Sequence, residues 1–280
     1  MTTAPETARS SSHPDLNPQV HQRLEADLNS GRLAEIIAEI SEEAADLIRG
    51  FWRAGVTAQS KADLSPVTEA DRQAEALILS RLEAEWPGVQ TIAEEQACDK
   101  GLPVAAAEWF WLIDPLDGTR GFVAGREAFT VNIALAHNGL VVAGAVVAPA
   151  THTCWRSGPS SGGAFRRQGN EGWQPIHVRP RPEEPIALVS HSLTDAEAER
   201  LIRQHGCTRW EALDSSLKLC LIAEGRFDAY PRTGPTSEWD IAAGHAVLQA
   251  AGGRVIGADG QVLRYGKPQF ANGVFVALGG

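Results

Sequence analysis

The amino-acid sequence predicts an α/β fold, and three patterns along the chain support this prediction. Apolar residues recur every three or four positions across residues 19–54 and again across 68–86, as in amphipathic helices. Between residues 129 and 178, apolar and polar residues alternate as in antiparallel strands. Beyond residue 186, strand and helix patterns alternate at a spacing that is typical of an α/β layer.

Composition excludes several classes of protein. The chain has 280 residues and a net charge of -10, so we expect no binding to a nucleic-acid polymer, which would require a basic surface. No apolar stretch approaches the roughly 20 residues of a membrane-spanning helix, and we expect no signal peptide. This leaves peripheral membrane association open. The four cysteines have no paired spacing, which favours reduced thiols in a cytoplasmic protein.

The sequence predicts three segments. Residues 1–18 are rich in Ser, Thr and Pro, and we expect a disordered N-terminal tail. Residues 19–182 form a predicted α+β subdomain, and residues 183–280 form a predicted α/β subdomain. The boundary lies in residues 179–185, which hold three prolines and four charged residues.

The first two helices have different end signals. Residues 19–54 predict one amphipathic core helix, with Gly50 and Gly55 near its end. Thr68 is followed three residues later by Asp71, which is an N-cap pattern, and the second helix runs to Trp86. As a helix-start carboxylate, Asp71 has a structural explanation that requires no catalytic role.

The remaining elements follow from apolar runs and turn residues. The predicted strands cover residues 89–93, 109–113, 129–136, 140–148, 151–156, 163–167, 173–178, 186–190 and 227–230. The predicted helices cover residues 194–205, 215–224 and 240–251. Asn138 and Gly139 between two apolar runs are a strong hairpin signal.

The stretch from Trp109 to Thr119 is the most informative part of the chain. Five apolar residues precede Asp114, and Pro115 is expected to end the strand because it has no N–H to donate. Asp114 and Asp117 would then share one tight turn. Their carboxylates, the intervening carbonyl and the N–H groups that follow suit a hard cation that bridges to a phosphate. A surface turn is the alternative interpretation, because Asp-Pro and Asp-Gly are common in turns.

Other carboxylates also lie at the ends of predicted elements. Glu94 follows a short strand, Asp240 begins an apolar helix, and Asp71 lies at a helix start. A solvated acidic loop is the alternative for Glu94 and Glu95. Four acids in one crevice would repel each other unless cations were bound, and an all-oxygen ligand set favours Mg²⁺ or Mn²⁺ over Zn²⁺.

These motifs together support a resemblance. Glu94-Glu95, Asp114-Pro-Leu-Asp117-Gly-Thr119 and Trp239-Asp240-x-Ala-Ala-Gly-His resemble the signatures of the inositol-monophosphatase-like family of Mg²⁺-dependent, lithium-sensitive phosphatases. Ser65-Pro-Val-Thr68-x-x-Asp71 matches the helix start of that family. The segments 215–225 and 230–236 are similar to bacterial 3′(2′),5′-bisphosphate nucleotidases, a group within it. The resemblance covers about residues 33–265.

The resemblance implies a layered αβαβα sugar-phosphatase-like fold, with the metals held by residues 19–182 and the substrate bound by residues 183–280. It implies two or three Mg²⁺ ions, with Mn²⁺ as an alternative. The implied metal ligands are Glu94, Asp114, the Leu116 carbonyl, Asp117 and Asp240. Asp71 and the Thr119 hydroxyl are implied to orient the attacking water. The implied substrate contacts are Glu94, Leu116, Asp117, Gly118, Thr119, His191, Ser216, Lys218, Arg232 and Asp240.

The implied reaction removes the 3′-phosphate of adenosine 3′,5′-bisphosphate, a small-molecule nucleotide of sulfur metabolism. Ser215 and Ser216 have no evident His-Asp relay, so a covalent route is the weaker interpretation. Inositol monophosphatases carry an acid where Arg232 stands, and Arg suits the second phosphate of a bisphosphate. An inositol monophosphatase or a fructose-1,6-bisphosphatase is the alternative activity, and a non-catalytic nucleotide sensor is a further one. We expect a monomer or a homodimer.

Overall fold

A computed structural model of the chain describes residues 16–55, 59–60 and 66–280. The α-helices in these ranges are α1 (Pro18–Ser30), α2 (Arg32–Ala54), α3 (Glu69–Glu85), α4 (Glu94–Lys100), α5 (Thr119–Val123), α6 (Asp195–Arg203), α7 (Leu217–Ala223) and α8 (Trp239–Ala250). The strands are β1 (Gln59–Ser60), β2 (Pro66–Val67), β3 (Gln90–Ala93), β4 (Trp109–Asp117), β5 (Thr130–His137), β6 (Leu140–Ala148), β7 (Thr153–Ser157), β8 (Ala164–Gln168), β9 (Gln174–Ile176), β10 (Ile186–Val189), β11 (Arg209–Ala212), β12 (Ala229–Arg232), β13 (Thr236–Ser237), β14 (Arg254–Gly257), β15 (Ala271–Asn272) and β16 (Phe275–Leu278).

The larger sheet has seven strands in sequence order, from β3 to β9. β3 and β4 are parallel, and the following neighbours are antiparallel. Successive residues of β4 alternate between the two faces, as the pleat requires. Trp111 and Ile113 pack with α2 and α3 on one face, whereas Phe110 and Leu112 join the core on the opposite face. Both faces of this sheet are therefore covered.

The smaller sheet has five strands in the order β11-β10-β12-β16-β14, of which the first three are parallel. Apolar residues of α7 and α8 form one core with residues of both sheets, so these helices lie between the sheets. Ala198 and Ile202 of α6 pack against the other face of the smaller sheet. The order of layers is helices, sheet, helices, sheet, helix. The predicted layered αβαβα fold is thus confirmed.

The prediction of one continuous helix over residues 19–54 is wrong. Gly31 has φ 86° and separates α1 from α2, because a left-handed residue cannot continue a right-handed helix. A Cβ at Gly31 would lie 3.2 Å from the backbone nitrogen of Pro159, so the close approach of this loop also favours glycine. Residues 1–15 of the predicted tail lie outside the described residues, and Pro18 already begins α1. The division into subdomains at residue 182 stays a prediction.

The prediction that Pro115 ends the central strand is also wrong. β4 continues to Asp117, with a shift of register between Asp114 and Asp117. Asp114 lies opposite Asn132, and Asp117 lies opposite Thr130. A bulge at this point accommodates the proline, which cannot donate to the neighbouring strand. The two aspartates therefore remain part of the sheet instead of sharing a free turn.

Most other predicted elements occur with shifted ends. The turn at Asn138 and Gly139, both with positive φ, joins β5 to β6 as predicted. The strands β11, β14 and β16 of the smaller sheet have no predicted counterpart. In the described ranges, no helix combines the length and apolar character that crossing a membrane requires.

Candidate active site

The acidic residues converge because two parallel strands end at the same edge of the larger sheet. Ala93 of β3 lies opposite Ile113 of β4, so Glu94 and Asp114 follow side by side. Glu94 begins α4, which shows that the alternative of a solvated acidic loop is wrong. Asp240 lies in the first turn of α8, which packs against β4, β5 and β6. The fold thus brings three separate segments to one edge.

A cavity of about 770 Å³ opens at this edge. It is lined by the following residues among those that the sequence singled out: Glu94, Asp114, Leu116, Asp117, Gly118, Thr119, His191, Ser216, Lys218, Arg232 and Asp240. Asp71 is only 1% exposed and does not line the cavity, although it contacts Thr119, which does.

Electrostatic repulsion is strong among the carboxylates. Burial raises the pKa of Asp114 well above its usual range, and the neighbouring Glu94, Asp117 and Asp240 raise it further. Burial and the charge of Asp117 likewise raise the pKa of Asp240. Burial raises the pKa of Asp117 to about 6, although Lys218 and the Ser216 N–H oppose the rise. These carboxylates therefore need a cationic partner to be ionised together near neutral pH.

The donors in this cluster fit a hard divalent cation. Four carboxylates and the Leu116 carbonyl offer oxygen atoms alone, which is the preference of Mg²⁺. No group of three or more His, Cys, Asp or Glu side chains in the described part of the chain is already arranged to hold a metal ion. The carboxylates are close enough to repel each other but too far apart to bind one ion without further ligands. Repulsion acts over several ångströms, whereas the ligands of Mg²⁺ stand at about 2 Å from the ion. Backbone and substrate oxygens would have to complete the coordination.

The two carboxylate oxygens of Asp71 have different partners. Oδ2 accepts hydrogen bonds from the backbone N–H of Thr68, at 2.8 Å, and from its hydroxyl, so it caps α3. Oδ1 lies 3.3 Å from the hydroxyl of Thr119, which also lies 2.9 Å from the Leu116 carbonyl. The helix-start role considered for Asp71 is therefore present, and it leaves the second oxygen beside the cavity.

Gly118 adopts a conformation that other residues rarely adopt. Its φ is 93°, and a Cβ at this position would lie 2.8 Å from the Ala128 carbonyl oxygen. Its place before α5 leaves the first N–H groups of that helix without partners in the helix, since hydrogen bonds within a helix begin four residues later. A phosphate group could use these N–H groups.

Lys218 is buried, and its ammonium group has internal partners. Nζ donates to the carbonyls of Leu213 and Ser215 at 3.0 and 2.7 Å, and it lies 5.0 Å from the centre of the Tyr230 ring. Burial lowers the pKa of Lys218 to about 8, while the charge of Asp117 opposes the decrease. The predicted substrate contact of Lys218 stays a prediction.

Arg232 and His191 lie on the part of the cavity wall that the smaller sheet provides. Nε and Nη2 of Arg232 donate to the carbonyls of Gly234 and Pro235 at 3.2 and 3.3 Å, which anchors the guanidinium at the end of β12. Nδ1 of His191 lies 3.3 Å from Asp214.

Besides Arg120, which directly follows the Asp114–Thr119 motif, two charged residues of the cavity were not predicted from the sequence, namely Asp214 and Arg126. Asp214 lies between His191 and Arg126, and Nη1 of Arg126 is 3.5 Å from it. Neither residue stands in a recognisable motif. The one available signal is that Asp214 directly precedes the Ser215-Ser216 pair, in a loop that follows a strand.

A sequence profile described as the inositol monophosphatase family matches residues 31–277. The chain belongs to the inositol monophosphatase family. The resemblance drawn from the sequence motifs is thereby confirmed. Members of this family are generally metal-dependent phosphatases.

Relatives within the inositol monophosphatase family cover most of the chain. The 3′(2′),5′-bisphosphate nucleotidase CysQ of Escherichia coli (strain K12) is 42% identical over 74% of this chain and 82% of its own length. The CysQ of Salmonella typhimurium is 37% identical over 83% of this chain and 94% of its own length. Among solved structures, CysQ from Bacteroides thetaiotaomicron matches with a TM-score of 0.72 and 31% identity, covering 89% of this chain and 97% of that one. SuhB of Mycobacterium tuberculosis matches with a TM-score of 0.68 and 27% identity, covering 90% and 93%.

Proposed function

We propose that this protein is a phosphomonoester hydrolase, a 3′(2′),5′-bisphosphate nucleotidase that converts adenosine 3′,5′-bisphosphate to AMP and phosphate. The observation that supports it best is one cavity with two kinds of wall. Carboxylates that suit metal ions line one part of it, and Arg232 with His191 lines another. A bisphosphate needs both, because one phosphate is cleaved and the other is only bound. The relatives that share 37–42% identity bear the name of this activity.

The carboxylate wall is the proposed metal site. Glu94, Asp114, Asp117, Asp240 and the carbonyl of Leu116 would hold two or three Mg²⁺ ions, with Mn²⁺ as an alternative. When bound, these ions neutralise the phosphate, lower the pKa of a water molecule and stabilise the leaving oxygen. The carboxylates themselves fix the positions of the ions and exclude softer metals, since their donors are oxygen.

The residues around Gly118 orient the reacting groups. The N–H groups of Gly118 and Thr119 point to the scissile phosphate and stabilise the charge on its oxygens. The Thr119 hydroxyl binds the attacking water, accepts a proton from it and passes its own proton to Oδ1 of Asp71, which lies 3.3 Å away. Asp71 suits this role because its other oxygen is held by the N-cap of α3, which prevents rotation of the carboxylate.

Arg232 selects the substrate. Its guanidinium is held by two carbonyls of the following turn, so it presents a fixed positive charge to the phosphate that is not cleaved. His191 and Lys218 remain predicted substrate contacts, whereas the Ser216 hydroxyl, predicted as a third contact, is bonded to Asn132. An inositol 1-phosphate has no second phosphate, so Arg232 would contribute little to its binding.

The test is a phosphate-release assay on adenosine 3′,5′-bisphosphate, AMP, inositol 1-phosphate and fructose 1,6-bisphosphate, with and without Mg²⁺. We expect release of one phosphate from the bisphosphate nucleotide, with AMP as the product, and loss of this release when a chelator is added. Asp114→Asn is the inactive control. Faster turnover of the inositol or fructose phosphate would establish one of the alternative activities. Full activity in excess chelator would contradict the metal-dependent mechanism, and nucleotide binding without turnover would indicate a sensor.

Several properties stay predictions: inhibition by lithium, a role in sulfur metabolism, a cytoplasmic location, and a monomeric or homodimeric state. The Mg²⁺ and lithium responses follow from the same assay. Sedimentation of the full chain would determine the oligomeric state.

A further inference from the structure

A buried polar cluster connects the proposed metal site with α7. The cluster consists of the side chains of Thr130, Asn132 and Ser216, each of which is at most 3% exposed. The Ser216 hydroxyl donates to Oδ1 of Asn132 at 2.7 Å, and it lies 2.9 Å from the hydroxyl of Thr130. Because the single proton of Ser216 serves Asn132, the Thr130 hydroxyl is the donor in the second contact.

The cluster lies behind the two central aspartates. Asn132 is the cross-strand partner of Asp114, and Thr130 is the cross-strand partner of Asp117. The backbone N–H of Ser216 donates a short hydrogen bond to Oδ2 of Asp117. Ser216 therefore contacts one aspartate through its backbone and, through its hydroxyl, the strand β5 that pairs with both.

The loop before α7 is built to hold this N–H in place. Ser215 has φ 59°, a left-handed conformation that is unusual for a residue with a side chain. The buried ammonium of Lys218 binds the carbonyls of Leu213 and Ser215, on either side of Asp214. The loop is thus held by Lys218 at its backbone and by Asn132 and Thr130 at Ser216.

Asn132 lowers the stability of the fold, and packing alone does not explain why an asparagine stands at this position. It is fully buried, and among the described residues its Nδ2 has no hydrogen-bond partner. A buried donor without a partner destabilises a fold, so an apolar residue would be preferred if only packing mattered. Within the described part of the chain, the Asn132 side chain has one hydrogen-bond partner, the Ser216 hydroxyl.

We infer that Ser216 is a positioning residue that acts through Asp117, with Asn132 and Thr130 as its supports, and that its side chain does not contact the substrate. This inference rests on the proposed function, since it assigns Asp117 to the metal site. Residues that donate hydrogen bonds to a metal-binding carboxylate orient it and strengthen binding of the ion. Their loss typically weakens metal affinity by about 10- to 100-fold.

The experiment compares Ser216→Ala, Thr130→Val, Asn132→Ala and the double variant Ser216→Ala/Asn132→Ala in the full chain. Thr153→Val is the matched control, because Thr153 is a buried threonine of the same sheet that is bonded to Thr151 and not to the cluster. Mn²⁺ binding is measured by calorimetry without substrate. The Mg²⁺ concentration for half-maximal rate and the nucleotide KM at saturating Mg²⁺ are measured separately.

We expect each single variant to weaken Mn²⁺ binding and raise the half-maximal Mg²⁺ concentration about tenfold, with the nucleotide KM unchanged. The double variant should be no worse than the stronger single variant, because both changes break one linkage. Thr153→Val should leave metal binding unchanged. Ser216→Ala and Thr130→Val remove little volume, so they test the inference even if Asn132→Ala does not fold.

A different result would overturn the inference. If Ser216→Ala raised the nucleotide KM while Thr130→Val did not, Ser216 would be a substrate contact. Unchanged Mn²⁺ binding in both variants would also exclude the positioning role. A wild-type protein that binds no Mn²⁺ and hydrolyses no nucleotide would instead disprove the proposed function, which keeps the two failures distinct.

Discussion

The hydroxyl of Thr119 lies 3.3 Å from Oδ1 of Asp71, although 48 positions separate the two residues in the sequence. This contact joins the start of α5 to the start of α3 at the edge of the cavity. It places a hydroxyl between a carboxylate that can accept a proton and the N–H groups that can bind a phosphate. The proposed orientation of water depends on this relationship.

Thr119→Ala should lower kcat by about two to three orders of magnitude, because a positioned proton acceptor typically contributes that much to catalysis. The half-maximal Mg²⁺ concentration should change little, since the hydroxyl is not a proposed metal ligand. Thr119→Ser is the control and should retain most of the rate. Steady-state kinetics over a Mg²⁺ titration would decide. Lost metal affinity with an unchanged kcat would contradict the role of Thr119.

Asp114→Asn should abolish turnover and stabilise the metal-free protein. Burial and three neighbouring carboxylates raise the pKa of Asp114, so in the folded state the charged form is disfavoured. The folded chain then binds more protons than the unfolded chain, and its stability decreases as pH rises above about 4. The advantage of Asp114→Asn over wild type should therefore grow with pH, which urea denaturation in chelator can measure. Equal stability of Asp114→Asn and wild type at every pH would disprove the repulsion between Asp114 and its neighbouring carboxylates.

Asp117→Asn should also abolish turnover, but it should stabilise the metal-free protein less. The pKa of Asp117 is raised from 3.8 to about 6, so the folded protein loses stability to the ionisation of Asp117 as pH rises from 3.8 to about 6. The buried ammonium of Lys218 loses a neighbouring negative charge in this variant, which offsets the gain. The same urea experiments, in parallel with Asp114→Asn, should rank the variants in this order. A larger gain in stability for Asp117→Asn than for Asp114→Asn would mean that the charge of Asp117 does not stabilise the Lys218 ammonium.

Arg232→Glu should lower kcat/KM for adenosine 3′,5′-bisphosphate by about a hundredfold or more, in the range of a lost charge pair in a binding site. The loss on inositol 1-phosphate should be much smaller, because that substrate has no second phosphate. Arg209→Glu, at an exposed position of β11, makes the same change of net charge outside the cavity lining. Equal losses on both substrates would remove Arg232 from substrate selection and favour the inositol phosphatase alternative.

Glu238→Ala should destabilise the protein by roughly 2–4 kcal/mol, because it removes a buried carboxylate that is paired with the half-buried Lys267 and leaves two backbone donors unpaired. Glu238 is fully buried, and it accepts from the N–H groups of Gly266 and Lys267 at 2.6 and 3.0 Å and from the Lys267 ammonium at 2.5 Å. Glu43→Ala, which breaks an exposed pair with Arg81, is the control and should cost less than about 1 kcal/mol. Urea denaturation midpoints give both values. Similar losses would mean that the Glu238 contacts contribute little.

Several features could be predicted because they depend on local sequence. The helix start at Thr68, the turn at Asn138 and Gly139, and the short apolar runs each have a signature within a few residues. The convergence of Glu94 and Asp114 could be predicted because each directly follows a run of apolar residues in one of two parallel strands. The residues of the smaller sheet were harder to predict, since β14 and β16 are short and pair with strands that are distant in sequence.

The sequence by itself determined the order of most helices and strands, the acidic residues proposed as metal ligands, and the family to which the motifs belong, because these depend on residue type and spacing. Only the tertiary structure decided how those residues are used. The bulge at Pro115 forms where β4 pairs with β5. The ammonium of Lys218 is buried and donates to the carbonyls of Leu213 and Ser215. The contact between Ser216 and Asp117 joins residues 99 positions apart. Contacts of this kind arise when distant segments pack together, so no local pattern in the sequence reports them.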